Sequence, residues 1–379
     1  MSETATNSSD VYSPGLEGVI GGETAICTLA TGLSYRGYAI EDLTANACYE
    51  EVAYLILYGD LPTKDQLQVF QKRLTGAMAV PAEVVEVLKK IPRTADAMDV
   101  MRTACSFLAH FDSETEVSGH DANLRKAERL LAQMPVVLGA YQHILSGKAP
   151  VAADPSLSFA GNVLWLLRGE KPTPAAAKAM DVTLILYAEH EFNASTFAAR
   201  CIVSTLSDIH AGITGAIGTL KGPLHGGANE RALEVLLAAG TPDKAEKWVR
   251  DALARKERIM GFGHRVYKHG DPRAVYLKTL CPALAKEAGK EALEATAEII
   301  EKIVTTEKKL PPNVDWPCAR VYHYLGIPKE LFTPLFVCAR VVGWSAHVIE
   351  QLDNNRLMRP RSLYNGPGHR DWKPIAQRG

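Results

Sequence analysis

Leu335-Phe-Val-Cys-Ala-Arg340-Val-Val-Gly-Trp344 reads as apolar helix carrying a single charge, and it follows a long stretch of opposite character. From Leu237 to Lys309 the chain is rich in Lys and Glu, the mark of helices with a solvated face. After Pro328 it returns to apolar helix. A charged segment between two apolar ones predicts a smaller helical domain, residues 223–328, inserted into a larger one made of 15–222 and 329–379. The hinges fall near Gly222 and near Gly326 to Pro328. Residues 1–14 are polar and read as a disordered tail.

Apolar residues at three- and four-residue steps predict further helices on both sides of this frame. They run from Tyr49 to Tyr58, Lys64 to Gly76, Ala82 to Lys90, Ala95 to Phe111, Leu124 to Ser146, Pro174 to Glu189 and Thr196 to Lys221. Later ones run from Asn229 to Ala238, Asp243 to Lys256, Lys286 to Lys308 and Lys329 to Leu352. Thr173-Pro174 has the form of an N-cap followed by proline at the first helical position. Only Gly22 to Tyr38 alternates like strand, around a Thr-Gly turn, and predicts a small hairpin. Strands and helices do not alternate, so the fold class is all-α rather than doubly wound α/β.

The composition, 47% hydrophobic and 22% charged, permits a large buried core. A net charge of -1 gives no basic stripe for nucleic acid. No apolar run reaches the length of a membrane span, and the N-terminus lacks the basic and apolar regions of a secretory signal. The seven scattered cysteines fit a reduced, cytoplasmic protein and form neither a disulfide framework nor a zinc site.

Three turns rich in Gly or Pro each present one titratable side chain. They are Gly222-Pro-Leu-His225-Gly-Gly-Ala-Asn229, Gly261-Phe-Gly-His264-Arg-Val-Tyr267 and Asn313-Val-Asp315-Trp-Pro317. Two imidazoles and a carboxylate can run proton abstraction beside a carbonyl, one group taking the proton while others hold the growing charge. Near the helix start at Asn229, His225 is expected to stay neutral and donate a hydrogen bond, with Gly226 and Gly227 letting backbone approach a ligand. An ordinary glycine turn is the competing reading. The His264 turn lacks the third glycine of a dinucleotide fingerprint, since Val266 stands there. It still fits a loop that meets a cofactor through its backbone, with Arg265, Lys268 and His269 to attract phosphate; a basic surface turn is the alternative. Asp315, beside Trp316, is expected to have a raised pKa that suits a base. Its competing reading is an N-cap for a helix from Cys318 to Leu325.

Arg273, Arg340 and Arg359 form a second layer. A guanidinium in an apolar run such as that of Arg340 is costly unless it meets a carboxylate, and a structural salt bridge is the competing reading for all three. His190, in His190-Glu-Phe-Asn-Ala-Ser195, lacks the second histidine of a metalloprotease motif and is left to hydrogen-bond an anion. His110, His143, His210, His323 and His347 read as packing or capping residues.

Together these segments resemble the citrate synthase family, in its short-chain bacterial form. Leu224-His-Gly-Gly-Ala-Asn229, Gly261-Phe-Gly-His-Arg-Val-Tyr267 with Asp271-Pro-Arg273, Asn313-Val-Asp-Trp316 and Arg359-Pro360 occur in the family's order. Gly15-Leu-Glu-Gly-Val19, Glu23-Thr-Ala-Ile26, Tyr35-Arg-Gly-Tyr38 and Asn193-Ala-Ser-Thr-Phe197 extend the similarity to about Gly15–Gly366. The resemblance implies a large and a small helical domain, a homodimer, and closure around oxaloacetate. It implies an acyltransferase of the citrate (Si)-synthase type, which condenses acetyl-CoA with oxaloacetate and water through an enol and citryl-CoA. Asp315 matches the base, His225 the residue that stabilises the enol, and His264 the one that polarises the oxaloacetate ketone. His190, Arg273, Arg340 and Arg359 match the carboxylate-binding positions, Arg359 reaching across from the partner subunit. Ile259, Met260, Gly261, Phe262 and Gly263 match the backbone that meets the CoA adenine, and Lys268 and Arg361 positions that contact CoA phosphates. No metal or redox cofactor is implied, the CoA thioester being a substrate.

The nearest alternative is 2-methylcitrate synthase, which takes propionyl-CoA; one methylene is worth only about 1–3 kcal/mol of discrimination. Arg265 after the histidine favours citrate synthase. A non-catalytic CoA-binding helical protein is the remaining alternative, and it is disfavoured because His225, His264 and Asp315 are all present. The extra N-terminal domain of the longer NADH-inhibited enzymes is not part of this sequence, so NADH inhibition is not expected.

Overall fold

The computed structural model describes residues 12–264, 267 and 270–378. Residues 1–11 of the tail expected at 1–14, together with Arg265, Lys268 and His269, lie outside the described residues. Sixteen α-helices are present among the described residues, with one small sheet. The first ten are α1 (Ile40–Asn46), α2 (Tyr49–Tyr58), α3 (Lys64–Ala77), α4 (Ala82–Lys90), α5 (Ala97–Leu108), α6 (His120–Leu145), α7 (Phe159–Arg168), α8 (Pro174–Tyr187), α9 (Ala194–Val203) and α10 (Ile209–Leu220). The remaining six are α11 (Ala228–Ala239), α12 (Pro242–Ala254), α13 (Pro272–Glu287), α14 (Glu291–Lys308), α15 (Asp315–Tyr324) and α16 (Phe332–Asp353).

Most helices start where the local chemistry says they should. The Thr173 hydroxyl accepts from Ala176 N–H at 3.2 Å, with Pro174 at the first position of α8. Asn193 caps α9 by accepting from Thr196 N–H at 3.0 Å. Two expected helices divide. The run from Thr196 to Lys221 breaks after Val203, because the Asp208 carboxylate accepts from Ala211 N–H and starts α10 afresh, with Leu206 at φ 68° between. The run from Lys286 to Lys308 is really the end of α13 and the whole of α14, separated at Gly289. Asp271-Pro272 is the cap-and-proline start of α13, a signal equivalent to Thr173-Pro174. The hairpin is a three-stranded antiparallel sheet, β1 (Cys27–Thr28), β2 (Ser34–Tyr35) and β3 (Tyr38–Ala39) in that order.

Helix α16 is the axis of the core and packs on α6, α8, α9, α10 and α2. The Lys329–Asp353 stretch is apolar and long enough to cross a membrane, contrary to the sequence expectation, but 94% of its apolar window is buried inside the fold. It is a core helix, covered by its neighbours. Helices α11 to α15 pack chiefly on one another, and meet the rest mainly through α13 on α8 and α11 on α16. The exposed faces of α12 and α14 carry ion pairs such as Arg250–Glu246 within α12 and Arg250–Glu307 between the two helices, in keeping with the charged composition there. After Asn354 the chain is exposed and almost without helix to Arg378.

Candidate active site

A cavity of about 870 Å³ opens between α8, α9 and α16 on one side and the turns before α11, α13 and α15 on the other. Its lining gathers His190, His225, His264, Arg273, Asp315 and Arg340, six of the residues singled out in the sequence.

His225 is held by a turn in which its N–H and that of Gly226 both donate to the Gly222 carbonyl. Gly226 is needed for packing rather than for a ligand: a Cβ there would stand 2.1 Å from the Leu220 carbonyl oxygen. The Ser195 N–H donates to His225 Nε2 at 3.3 Å, and the Ser195 hydroxyl lies 2.8 Å from the same nitrogen. A backbone donor on Nε2 leaves the ring proton on Nδ1. Trp344 Nε1–H donates to Ser195 Oγ at 3.0 Å and fixes the serine in turn. Burial, and then the charge of Arg340, lower the His225 pKa to about 4. The ring is neutral as expected, although burial and an arginine are the causes, not the nearby helix end.

The other two turns are stitched together. Asn313 N–H donates to the Gly261 carbonyl at 2.9 Å, and Asn313 Nδ2 donates to the Gly263 carbonyl at 2.9 Å. Gly263 N–H donates to the Pro311 carbonyl. Gly261 sits at φ 91°, where a Cβ would be 2.9 Å from the Trp316 ring, so only glycine fits between the turns. The loop Ile259–Gly263 therefore supports the Asp315 turn from behind and does not line the cavity. Tyr267 N–H donates to His264 Nδ1 at 3.2 Å, which leaves the proton of a neutral ring on Nε2. The Tyr267 hydroxyl lies 3.0 Å from His190 Nε2. His190 is pushed well below the usual histidine range by burial and by Arg273, Arg340 and His264.

Asp315 is the first residue of α15, and its own N–H is capped by Asn313 Oδ1 at 3.0 Å. The aspartate is thus not the cap, and its carboxylate faces the cavity. Burial raises its pKa, while a hydrogen bond from the Tyr187 hydroxyl at 2.8 Å and the charge of Arg273 oppose the rise.

The two buried arginines differ. Arg273 makes a two-point ion pair with Asp271, Nε to Oδ1 and NH2 to Oδ2, both at 2.9 Å. Asp271 also accepts from Val314 N–H at 3.0 Å, which ties α13 to the Asp315 turn. Burial disfavours the Arg273 charge, and Asp271 overrides it to raise the pKa. Arg340 is 1% exposed, and among the described residues no carboxylate forms a salt bridge with it. Its Nε donates to the Tyr187 carbonyl at 2.6 Å, and its guanidinium lies over the Phe336 ring at 4.7 Å. Burial lowers its pKa, and the charge of Glu189 opposes that.

Arg359 is exposed in the segment after α16 and does not line the cavity of its own chain. Arg361 lies in the same segment, and Lys268 is outside the described residues. Tyr187, Ser195, Asp271 and Trp344 are the contacts sequence reading did not single out as functional. Asp271 has a local signal, as the cap of α13, and Ser195 follows the Asn193 cap of α9 within the first turn, whereas Tyr187 and Trp344 look like ordinary core aromatics. Among the described residues no cluster of His, Cys, Asp or Glu has the arrangement of a metal site.

The arrangement offers a carboxylate base, two imidazoles with assigned donors and a cationic pocket, the set needed to form an enol and hold an anionic acceptor. Comparison with known proteins agrees. The family described as citrate synthase, C-terminal domain, matches residues 15–361. Citrate synthase 2 of Bacillus subtilis is 47% identical over 96% of this chain and 98% of its own. A 2-methylcitrate synthase of Shewanella oneidensis is 46% identical over 96% of this chain and 97% of its own. The structure of citrate synthase from Thermoplasma acidophilum, in ternary complex with carboxymethyl coenzyme A and oxaloacetate, superposes with a TM-score of 0.90 at 36% identity, covering 97% of this chain and 100% of that one. The citrate synthase of Pyrobaculum aerophilum superposes with a TM-score of 0.90 at 38% identity, over 96% of this chain and 95% of that one. The chain belongs to the citrate synthase family, and is an acyltransferase of the citrate synthase type.

Proposed function

We propose that the protein condenses acetyl-CoA with oxaloacetate and water to give citrate and CoA. The observation that carries this reading is the meeting in one cavity of a base of raised pKa, a neutral imidazole bearing its proton on Nδ1, and a buried arginine that forms no salt bridge among the described residues. Asp315 removes a methyl proton from the thioester. His225 Nδ1–H stabilises the enol oxygen as the charge develops. His264 polarises the ketone of oxaloacetate, whose carboxylates are held by Arg340, Arg273 and His190. The enol carbon attacks the ketone to form citryl-CoA, and water then cleaves that thioester. Acid–base groups and the CoA thioester supply all of this chemistry, without a metal or redox cofactor.

Arg359 is too exposed to act within its own subunit, and its position supports a homodimer in which it completes the partner's site. Residues 223–328 act as the small domain and close over oxaloacetate, which excludes water until citryl-CoA forms. Ile259 to Gly263, Lys268 and Arg361 are assigned to CoA, and the enzyme is assigned to the cytoplasm, at the entry of the citric acid cycle.

The competing acyl group is propionyl, favoured by the near-equal identity to a 2-methylcitrate synthase. Release of free CoA thiol from acetyl-CoA and propionyl-CoA, measured in parallel with oxaloacetate, decides between them. A higher kcat/KM with acetyl-CoA is expected. A higher value with propionyl-CoA would make the protein a 2-methylcitrate synthase, and no release with either would remove the condensation reading.

A further inference from the structure

Tyr187 closes α8 and is 1% exposed, yet both of its polar ends are committed to the cavity. Its hydroxyl donates to Asp315 Oδ1 at 2.8 Å. Its carbonyl accepts from Arg340 Nε at 2.6 Å. Its ring stands edge-to-face on Phe336 with centroids 4.5 Å apart, and the Arg340 guanidinium covers that same Phe336 ring. One residue therefore touches the carboxylate that takes the proton and the arginine that receives the anion. The link also spans the cavity, from α8 on one side to α15 on the other.

We propose that Tyr187 is the positioning residue of the base: its hydroxyl pins Asp315 Oδ1, leaves Oδ2 to face the thioester methyl group, and couples that orientation to the anchorage of Arg340. The inference rests on the condensation reading and adds to it a residue whose role is to aim the carboxylate. A carboxylate with one oxygen held by a fixed donor loses rotational freedom about its Cβ–Cγ bond. The same bond favours the ionised form, which is the form that can accept a proton. Tyr187 does not itself carry the proton. Burial and the neighbouring Asp315 charge hold the phenol well above its ordinary pKa, so it remains a donor.

Other ionisable groups face Asp315 as well. Arg273 favours its charge and Asp271 disfavours it, while Cys318 lies one turn further along α15. His225, His264 and Arg340 line the same cavity. Cys318 also shares a hydrogen bond with the Tyr187 hydroxyl, but burial holds its thiol far above the ordinary range and it stays uncharged, so a change in the titration of the base in Tyr187→Phe reports on the hydroxyl.

The test compares the parent with Tyr187→Phe, which keeps the ring against Phe336. Thiol release is followed from about pH 5 to about pH 9 with protiated and methyl-deuterated acetyl-CoA. The variant is expected to lose about tenfold in kcat at neutral pH, with the oxaloacetate KM changed by less than about twofold. The acid limb of its rate profile should move up by roughly one pH unit, because a donor that stabilised the carboxylate is gone. The deuterium isotope effect should increase, since proton removal becomes more rate-limiting. A profile and isotope effect superimposable on the parent's would overturn the proposal. If Tyr187→Phe does not fold, 3,5-difluorotyrosine at position 187 serves instead. Its more acidic hydroxyl is a stronger donor and should move the acid limb downward, and an unmoved limb counts against the proposal. An inactive parent, by contrast, would remove the condensation reading itself.

Discussion

On the α13 side of the cavity Arg273 meets Asp271 in a two-point ion pair, whereas on the α16 side Arg340 meets a backbone carbonyl and an aromatic face and, among the described residues, forms no salt bridge. Both guanidinium groups are almost wholly buried. The first is neutralised by its own chain and also braces the Asp315 turn through the Asp271 bond to Val314 N–H. The second holds a charge that no neighbouring carboxylate cancels by direct contact. A buried charge of that kind is costly, and it makes sense as the receiver of an anionic substrate. The difference separates an arginine already paired by its own chain from one whose charge is left for a ligand, which residue type alone does not do.

Replacing Arg340 with Leu is the most direct way to break this comparison. It should lower kcat/KM for oxaloacetate by roughly a thousandfold, because an unshielded charge pair is lost. Thermal stability of the free protein should hold or rise, since a desolvated charge is removed. Replacing Arg273 with Leu should behave differently. Asp271 would be left buried and unpaired, at a cost of about 3–5 kcal/mol in stability seen by denaturant titration. Equal stability losses in the two variants would erase the distinction. Changing Ser195 to Ala sharpens the contrast on the helix-built side. His225 keeps the Ser195 N–H but loses the hydroxyl, and Trp344 loses its acceptor. A fall in kcat of about tenfold with an unchanged oxaloacetate KM is expected from steady-state kinetics.

The smallest effect concerns pH. His225 has a folded pKa of about 4 against 6.5 for the free side chain. Between those values the unfolded chain binds a proton that the folded chain does not, so stability falls as pH is lowered from 6.5 toward 4. Melting temperatures of the ligand-free protein across that window should show the slope, and His225→Asn should flatten it. A slope identical in that variant would mean that other groups produce it.

Local signals explain what could be read ahead of the fold. His225, His264 and Asp315 stand in turns whose Gly and Pro residues mark them out, and the structure brings all three to one cavity. Thr173-Pro174 announces α8, and the equivalent Asp271-Pro272, quoted above only within a family motif, announces α13. The helix break at Ser204 to Asp208 was hidden because apolar periodicity continues on both sides of it, and the Asp208 cap outweighs that periodicity. Tyr187 and Trp344 sit in apolar helices, where an aromatic residue predicts only burial. Arg359 and Arg361 are legible as motif residues, but they lie in an exposed segment that does not line the cavity.

By itself, the sequence determined the helical class, the identities of the acid–base groups and the family, because caps, turns and motifs are properties of neighbouring residues. Only the tertiary structure decided which arginine is paired, which nitrogen of His225 carries the proton and which oxygen of Asp315 is held. Those outcomes depend on contacts between residues far apart in the chain, Asp315 with Tyr187 and His225 with Ser195, and on the burial that makes each contact count.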